Sequence, residues 1–162
     1  LYHYNKAIIK QPLYDNAYNN RGAVYVKFGL YRQALHDFNK TIALNPFYTQ
    51  AYNNRANILV QSGQYNSAIE DLSKAIRIDP SYALAYFNRG FLFAKVGYYQ
   101  KSIEDFNKVI SLKPEDINSY SNRAFVYFKQ GHNDLGCQDA KKVCELGNCR
   151  MLELTKENGL CR

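Results

Sequence analysis

Short apolar runs with helical spacing alternate along the chain. Between residues 15 and 48, a first run places aromatic residues at i, i+7 and i+10: Tyr18, Tyr25 and Phe28. A second run has its apolar and small residues at i, i+4, i+7 and i+8: Ala34, Phe38, Thr41 and Ile42. Gly29 lies between the runs, where a tight turn favours a residue without a Cβ atom, and Pro46 follows the second run and ends it. The pattern predicts two helices joined by a turn.

The same pattern returns every 34 residues. Three sets of markers keep this period. They are the segments that begin at Ala17, Ala51, Ala85 and Ser119, the glycines Gly29, Gly63, Gly97 and Gly131, and the prolines Pro12, Pro46, Pro80 and Pro114. We therefore divide the chain into units 15–48, 49–82, 83–116 and 117–150, number positions from the start of each unit, and expect helix A at positions 2–14 and helix B after the glycine. The chain is predicted to be all-α.

The motif within each unit resembles that of the tetratricopeptide repeat family. The matching residues follow the spacing aromatic-x3-G-x2-Y, A-x3-F and P: Tyr18, Gly22, Tyr25, Ala34, Phe38 and Pro46. The resemblance covers essentially the whole chain. It implies a right-handed α/α superhelical solenoid in which the A helices line an inner, concave surface. It also implies a protein-interaction scaffold without naming the partner, because such arrays serve many unrelated assemblies.

Both ends of the chain depart from the repeat. Residues 1–14 match unit positions 21–34, so they are interpreted as the second helix of a truncated repeat, with an open apolar face that favours a longer array or a homo-oligomer. In the degenerate last repeat, Gly136 and Ala140 replace the usual alanine and phenylalanine. Residues 149–162 are expected to form a capping helix and tail, with Asn148 as N-cap and Gly159 as the stop.

Each unit carries an arginine at position 7 and an aspartate at position 23. In an antiparallel hairpin that turns near position 15, these positions face each other, so the pairs are expected to form structural ion pairs. The pairs are Arg21 with Asp37, Arg55 with Asp71, Arg89 with Asp105, and Arg123 with Asp139. The alternative is that the arginines bind ligand phosphates or carboxylates. Loss of one partner would leave a charge in poorly hydrated surroundings.

The excess positive charge lies on the A helices. The chain has a net charge of +7, and residues 16–28, 50–62, 84–96 and 118–130 contain basic residues but no Asp or Glu. The residues expected to face the groove include an asparagine ladder and three lysines: Asn20, Asn54, Asn88, Asn122, Lys27, Lys95 and Lys129. Other residues make its N-terminal half polar and its C-terminal half aromatic: Asn16, Asn19, Asn53, Asn57, Phe87, Phe91, Phe125 and Phe128.

These side chains suit the binding of an extended peptide. An asparagine amide donates and accepts hydrogen bonds, lysines attract carboxylates, and phenylalanines form apolar pockets. The segment Tyr18-x-Asn20-Arg21 is similar to one that contributes an asparagine to the carboxylate clamp of cochaperones in this family. The predicted partner is therefore a protein or peptide that is acidic or ends in a carboxylate. The alternatives are single-stranded nucleic acid, a self-associating structural scaffold, or a solvated face whose asparagines bond neighbouring helices.

All four cysteines lie near the C-terminus, at Cys137, Cys144, Cys149 and Cys161. Cys137 and Cys144 are separated by about 10.5 Å along one helix, beyond disulfide reach. A capping helix antiparallel to helix B favours Cys137–Cys161 and Cys144–Cys149, which would suit a periplasmic or secreted protein. Four reduced thiols or a zinc site are the alternatives, although the spacing lacks close cysteine pairs.

No motif for catalysis or cofactor binding is present. The sequence contains no HExxH, P-loop, glycine-rich dinucleotide turn or nucleophile elbow, and the A helices offer no carboxylate as a general acid or base. No stretch approaches the roughly 18 apolar residues of a membrane-spanning helix. We expect a protein that is not an enzyme and has no metal or cofactor.

Overall fold

The computed structural model describes residues 1–161, which form ten α-helices and no β-strand. The A helices of the four units are α2 (Asp15–Lys27), α4 (Thr49–Gln61), α6 (Ala83–Lys95) and α8 (Ile117–Lys129). The B helices are α3 (Tyr31–Leu44), α5 (Tyr65–Ile78), α7 (Tyr99–Leu112) and α9 (Asn133–Glu145). Helix α1 (Tyr2–Lys10) precedes them, and α10 (Arg150–Glu157) follows. The all-α fold predicted from the sequence is confirmed.

Glycine ends the A helices in the way the sequence indicates. Gly29 has φ of +71°, a left-handed conformation that side chains with a Cβ atom rarely adopt. The following amide of Leu30 donates to the carbonyl of Tyr25 over 2.9 Å, and this closes the helix end. The A helices occupy unit positions 1–13, one residue earlier than expected, because the turn already begins at position 14.

The structure divides into two compact units, one of residues 1–85 and one that begins at residue 86, with the boundary inside α6. In the first unit, Ala34, Phe38 and Ile58 form a core cluster. In the second unit, Ile103, Phe106 and Val126 do so. Each cluster therefore joins helix B of one repeat to helix A of the next, and buries part of the apolar faces that the sequence periodicity outlines.

Small residues on helix A make room for large ones on helix B. A Cβ atom at Gly22 would lie 2.7 Å from Cε1 of Phe38, whose side chain is fully buried. At the equivalent position of the third repeat, a Cβ atom at Gly90 would lie 3.3 Å from Cε1 of Phe106. Glycine at unit position 8 is thus a packing requirement wherever position 24 is phenylalanine.

The last hairpin is sealed by α10 and two disulfide bonds. Cys137 is bonded to Cys161, and Cys144 to Cys149. Cys149, and not Asn148 as expected, is the N-cap of α10. The reason is that the Asn148 amide donates to the carbonyl of Val143 and so completes the end of α9. Gly159 has φ of +70° and follows the end of α10, as the sequence indicates.

A helix that crosses a lipid bilayer must be both long and apolar. Between residues 1 and 161, no helix combines these two properties.

Candidate functional site

Each position-7 arginine is held by the aspartate of its own hairpin. Two hydrogen bonds join every pair. In the first repeat, Nε and Nη2 of Arg21 each donate to a carboxylate oxygen of Asp37 over 2.7 Å. The other pairs have the same two-bond geometry: Arg55–Asp71, Arg89–Asp105 and Arg123–Asp139. The aspartates are all buried, so these arginines form structural contacts between helices A and B.

A third hydrogen bond links the arginine to the preceding B helix. Nη1 of Arg21 donates to Oδ1 of Asn5 over 2.9 Å, and Nη1 of Arg55 donates to Oδ1 of Asn39 over 2.7 Å. Arg123 makes the same bond to Asn107. These asparagines occupy unit position 25, so the 34-residue period could have identified them. The aspartates, and not these asparagines, were the arginine partners predicted from the sequence.

Aromatic rings complete the surroundings of each guanidinium. The Cζ atom of Arg21 lies 5.5 Å from the ring centre of Tyr18 and 5.7 Å from that of Tyr25. Such contacts favour the cation. Tyr18 also donates to the carbonyl of Pro12, and Tyr52 donates to that of Pro46. The abundant tyrosines therefore support the arginines and the connections between repeats.

The ion pairs raise the pKa values of the four arginines. The hydrogen bonds that Arg21 donates to the Asp37 carboxylate raise the pKa of its guanidinium, and the bonds that Arg55 donates to Asp71 have the same effect. Burial raises the pKa of the Asp105 carboxyl, against the opposing effect of Arg89. Each arginine therefore stays charged and donates its hydrogen bonds to groups of the protein itself. This use of the arginines argues against a track of cations for nucleic-acid phosphates.

One stripe of each A helix remains open to solvent. It consists of unit positions 2, 6, 9 and 13, which recur on one face of a helix. In the first and second repeats, which belong to the compact unit of residues 1–85, the stripe is polar. Its members are Asn16, Asn20, Ala23, Lys27, Gln50, Asn54, Asn57 and Gln61. Asn20, Asn57 and Lys27 are exposed, and Asn54 is half-buried. The stripe therefore offers amide groups and one ammonium group.

In the third and fourth repeats the same stripe is aromatic and basic. It includes Phe91 and Phe125, whose side chains are 50% and 53% exposed, together with the exposed Lys95 and Lys129. Nζ of Lys129 lies 5.3 Å from the ring centre of Phe125. Asn88 and Asn122 are half-buried members of the stripe, and Nδ2 of Asn122 donates to the carbonyl of Asn118. An exposed apolar ring beside an ammonium group can contact a mixed apolar and acidic ligand.

Three residues that were expected to face the groove lie elsewhere. Asn19 and Asn53, at unit position 5, are 7% and 2% exposed. Phe87, at the same position, is half-buried and packs on Phe106 with ring centres 5.8 Å apart. Position 5 points towards packed neighbours and not towards solvent. Nδ2 of Asn54 donates to Oδ1 of Asn19, so part of the amide chemistry joins α4 to α2.

Two carboxylates lie at the N-termini of A helices. Asp15 is the first residue of α2 and accepts from Nδ2 of Asn45 over 2.8 Å. Asp116 is the N-cap of α8 and accepts from the amide of Ser119. Both carboxylates have capping or bridging roles. The open stripes carry none.

No metal site is formed by the described part of the chain. Within residues 1–161, no three His, Cys, Asp or Glu side chains come close enough together to hold an ion.

Comparisons with known proteins identify the repeats. Family models match in several places: "TPR repeat" at residues 56–97 and 97–131, and "Tetratricopeptide repeat" at residues 16–48 and 38–70. A search of curated proteins found no match. Among solved structures, MamA is 26% identical, with a TM-score of 0.82 over 96% of this chain and 87% of MamA.

Two further solved structures extend the likeness. TTC0263, a thermophilic TPR protein of Thermus thermophilus, is 20% identical, with a TM-score of 0.73 over 97% of this chain and 86% of its own. The first TPR of Spaghetti (RPAP3), bound to the HSP90 peptide SRMEEVD, is also 20% identical. Its TM-score is 0.70 over 72% of this chain and 93% of its own. At these identities the likeness concerns the fold alone.

Proposed function

Because this chain belongs to the tetratricopeptide repeat family of protein-interaction scaffolds, we propose that it binds an extended peptide on the open stripes of its A helices. The peptide is acidic or ends in a free carboxylate. Proteins of this family are generally non-catalytic scaffolds, and a binding role accounts for the exposed side chains without any catalytic group.

The observation that carries this proposal is the absence of acid on the stripes. Lysines stand at position 13 of three repeats, and amides at position 6 of all four. No Asp or Glu occupies position 2, 6, 9 or 13 of any complete unit, although the chain contains 14 acidic residues. Neither stripe would therefore repel a ligand with carboxylates, and the lysines of each would attract it.

The chemistry of the side chains gives each a role. Amides such as Asn20 and Asn57 can pair with the backbone of any extended peptide. Lys27, Lys95 and Lys129 attract carboxylates as point charges, and Phe91 and Phe125 contact apolar side chains. The peptide in the Spaghetti structure contains two glutamates and ends in aspartate, which is the ligand chemistry proposed for this chain.

A series of labelled peptides tests the proposal. A short acidic peptide with a free C-terminus should bind, and its affinity should fall about threefold for each carboxylate removed by amidation or by glutamine. Fluorescence anisotropy measures both effects. Lys129→Glu should weaken binding about tenfold through like-charge repulsion. Lys141→Glu is the matched control, because Lys141 is an exposed lysine of α9 outside the stripes. Equal binding of the acidic, amidated and glutamine peptides would reject the proposal.

Self-association is a second candidate, and helix α1 is the observation that favours it. The helix has no buried residue, and its Tyr2 and Ile9 are 71% and 80% exposed, as is Leu13 in the turn that follows it, at 76%. An apolar surface of this kind is typical of contact sites between proteins. Light scattering over a concentration series should show a mass above that of the monomer, and Ile9→Lys should lower it. A constant monomer mass at high concentration would exclude self-association.

A further inference from the structure

Besides the exposed rings of Phe91 and Phe125, the C-terminal compact unit has an apolar cleft between α8, α9 and α10. Its volume is about 380 Å³, within the range of sites that bind small ligands or single side chains. Its apolar lining comes from all three helices: Phe125, Phe128, Val143, Met151 and Leu154. None of these residues was assigned to such a pocket by sequence reasoning, because α10 lies outside the repeat.

Two features of the last hairpin keep the cleft open. Helix α10 has 8 residues, whereas each A helix has 13, so it covers less of the hairpin than another A helix would. A Cβ atom at Gly136 would lie 2.6 Å from Cε1 of Phe128. The Phe128 ring therefore rests against the backbone of α9. The substitution of glycine for the usual alanine, which marks the last repeat as degenerate, serves this packing.

The cleft meets solvent at residues with both apolar and basic character. Leu154 is 48% exposed and Phe125 is 53% exposed, so apolar surface stays available at the entrance. Among the described residues, Arg150 is the charged one that lines the cleft, and no carboxylate does so. Lys129 stands over the Phe125 ring. An apolar side chain next to a negative group would thus match both the lining and the rim.

We propose that this cleft receives one large apolar side chain, leucine or phenylalanine, from a bound acidic peptide, with the neighbouring carboxylate of that peptide beside Arg150. The inference rests on the proposed function and adds the residue that anchors the peptide. It assigns specificity to the contact between α8 and α10, whereas the amide and lysine stripes are tolerant of sequence.

Labelled acidic peptides that end in leucine, phenylalanine or alanine test the proposal on the full chain. The leucine and phenylalanine peptides should bind about tenfold more tightly than the alanine peptide, as expected for partial burial of one side chain. Phe125→Ala and Leu154→Ala should remove most of this preference. Leu135→Ala is the matched control, since Leu135 is a similarly exposed leucine of α9 outside the cleft. Arg150→Gln should weaken all three peptides, and Lys156→Gln on the same helix should not.

The single methionine of the chain supplies an independent signal. Met151 lines the cleft, so its methyl resonance should shift with the leucine peptide and much less with the alanine peptide. If acidic peptides bind but without preference for the last side chain and without a shift of the Met151 methyl group, the cleft proposal is overturned and the proposed function stands. If no acidic peptide binds at all, both fail.

Discussion

At the scale of single residues, positions 8 and 24 of each unit form a matched pair. Glycine at position 8 accompanies phenylalanine at position 24 in two repeats, Gly22 with Phe38 and Gly90 with Phe106. Alanine accompanies a smaller residue in the others, Ala56 with Leu72 and Ala124 with Ala140. Since a Cβ atom at Gly22 would lie inside contact distance of the buried Phe38 ring, the pairing reflects the space between helices A and B.

Gly22→Ala is expected to destabilise the protein by about 1–3 kcal/mol through overpacking against Phe38. In a Phe38→Leu background the same change should become stabilising, by up to about 1 kcal/mol, because alanine favours a helix over glycine once the clash is gone. Urea unfolding of the four proteins in this cycle measures the change of sign. A destabilisation of equal size in both backgrounds would contradict the packing argument.

A pH effect is expected at Asp79, in the connection between the second and third repeats. The Ser81 hydroxyl donates to Oδ1 over 2.6 Å and the Ser81 amide over 2.9 Å, and these bonds lower the pKa of Asp79. A lowered carboxyl pKa contributes stability above the unfolded value of about 3.9, and this contribution is lost as the pH falls through the folded pKa.

Ser81→Ala should therefore raise the pKa of Asp79 towards its ordinary value, without restoring it fully, because the backbone amide remains. Carbon-detected NMR titration of the Asp79 carboxyl measures the change. An unaltered midpoint in Ser81→Ala would show that the hydroxyl does not hold the carboxylate.

The residue-scale contacts were predictable where they repeat within one unit. Arg21 and Asp37 follow from hairpin geometry and the period, and the structure has the four pairs at hydrogen-bond distance. The bond from Arg21 to Asn5 was not predicted, because it crosses between repeats and depends on how neighbouring hairpins pack. The inward direction of Phe87 was missed for the same reason.

At the scale of helices, the C-terminal helix α10 depends on covalent attachment. It has 8 residues, and Thr155 is its one buried member. A helix of this length is unstable alone in water. The Cys137–Cys161 bond closes a sequence separation of 24 residues, and the Cys144–Cys149 bond closes one of 5. The longer connection restricts the unfolded chain more strongly.

Replacing Cys137 and Cys161 together by serine should destabilise α10 by about 3 kcal/mol relative to the rest of the protein. Hydrogen exchange should then show fast exchange across residues 150–157 and little change in α2–α5. The double change Cys144→Ser with Cys149→Ser provides the matched comparison and should have a smaller effect. Unchanged protection of α10 without the Cys137–Cys161 bond would contradict the expected role.

The turns between the helices followed from the sequence, although the A helices begin and end one residue earlier than expected and the prediction failed where the period ends. Gly29 and its equivalents mark the turns because each has positive φ. The start of α10 was placed at the wrong cap because the Asn148 amide is used by α9. A preference for asparagine at N-caps cannot show which of two adjacent helices receives the residue.

At the scale of the whole molecule, arginines connect neighbouring repeats within each compact unit. Arg55 joins α4 to Asp71 on α5 and to Asn39 on α3. Repeat proteins owe their stability to units plus the interfaces between neighbours. Arg21, Arg55 and Arg123 therefore stabilise both their own hairpin and its contact with the preceding helix.

Asp71→Asn is expected to lower the free energy of unfolding by about 3 kcal/mol, since it leaves the Arg55 charge without its anionic partner. Asn39→Ala removes one hydrogen bond and should cost about 1 kcal/mol. Asn66→Ala, at an exposed position of α5, is the control and should change stability by less than about 0.5 kcal/mol. Urea unfolding ranks the three, and an Asn39→Ala cost no larger than the control would show that the link between repeats is unimportant.

The residue types of the open stripes were predictable, but the set of residues that face solvent was predicted only in part. Charge and period identified stripes without acidic residues on the A helices, and Asn20, Lys27, Phe91 and Lys129 are exposed there. The cleft at α10 could not be anticipated, because it arises from a helix outside the repeat and from the Phe128–Gly136 packing. A ligand surface built from repeated positions is readable from sequence, whereas one built at the end of an array is not.

An asparagine at unit position 25 accepts a hydrogen bond from the position-7 arginine of the next repeat, as Asn5 does from Arg21 and Asn39 does from Arg55. The segment 15–48 carries both halves of this contact, as Arg21 and Asn39. Duplication of such a segment in the gene would add a module that joins its neighbours on both sides without further mutation. Loss of the segment would bring Asn5 opposite Arg55, an equally well-matched junction. The length of the array can thus change in evolution while its internal contacts persist.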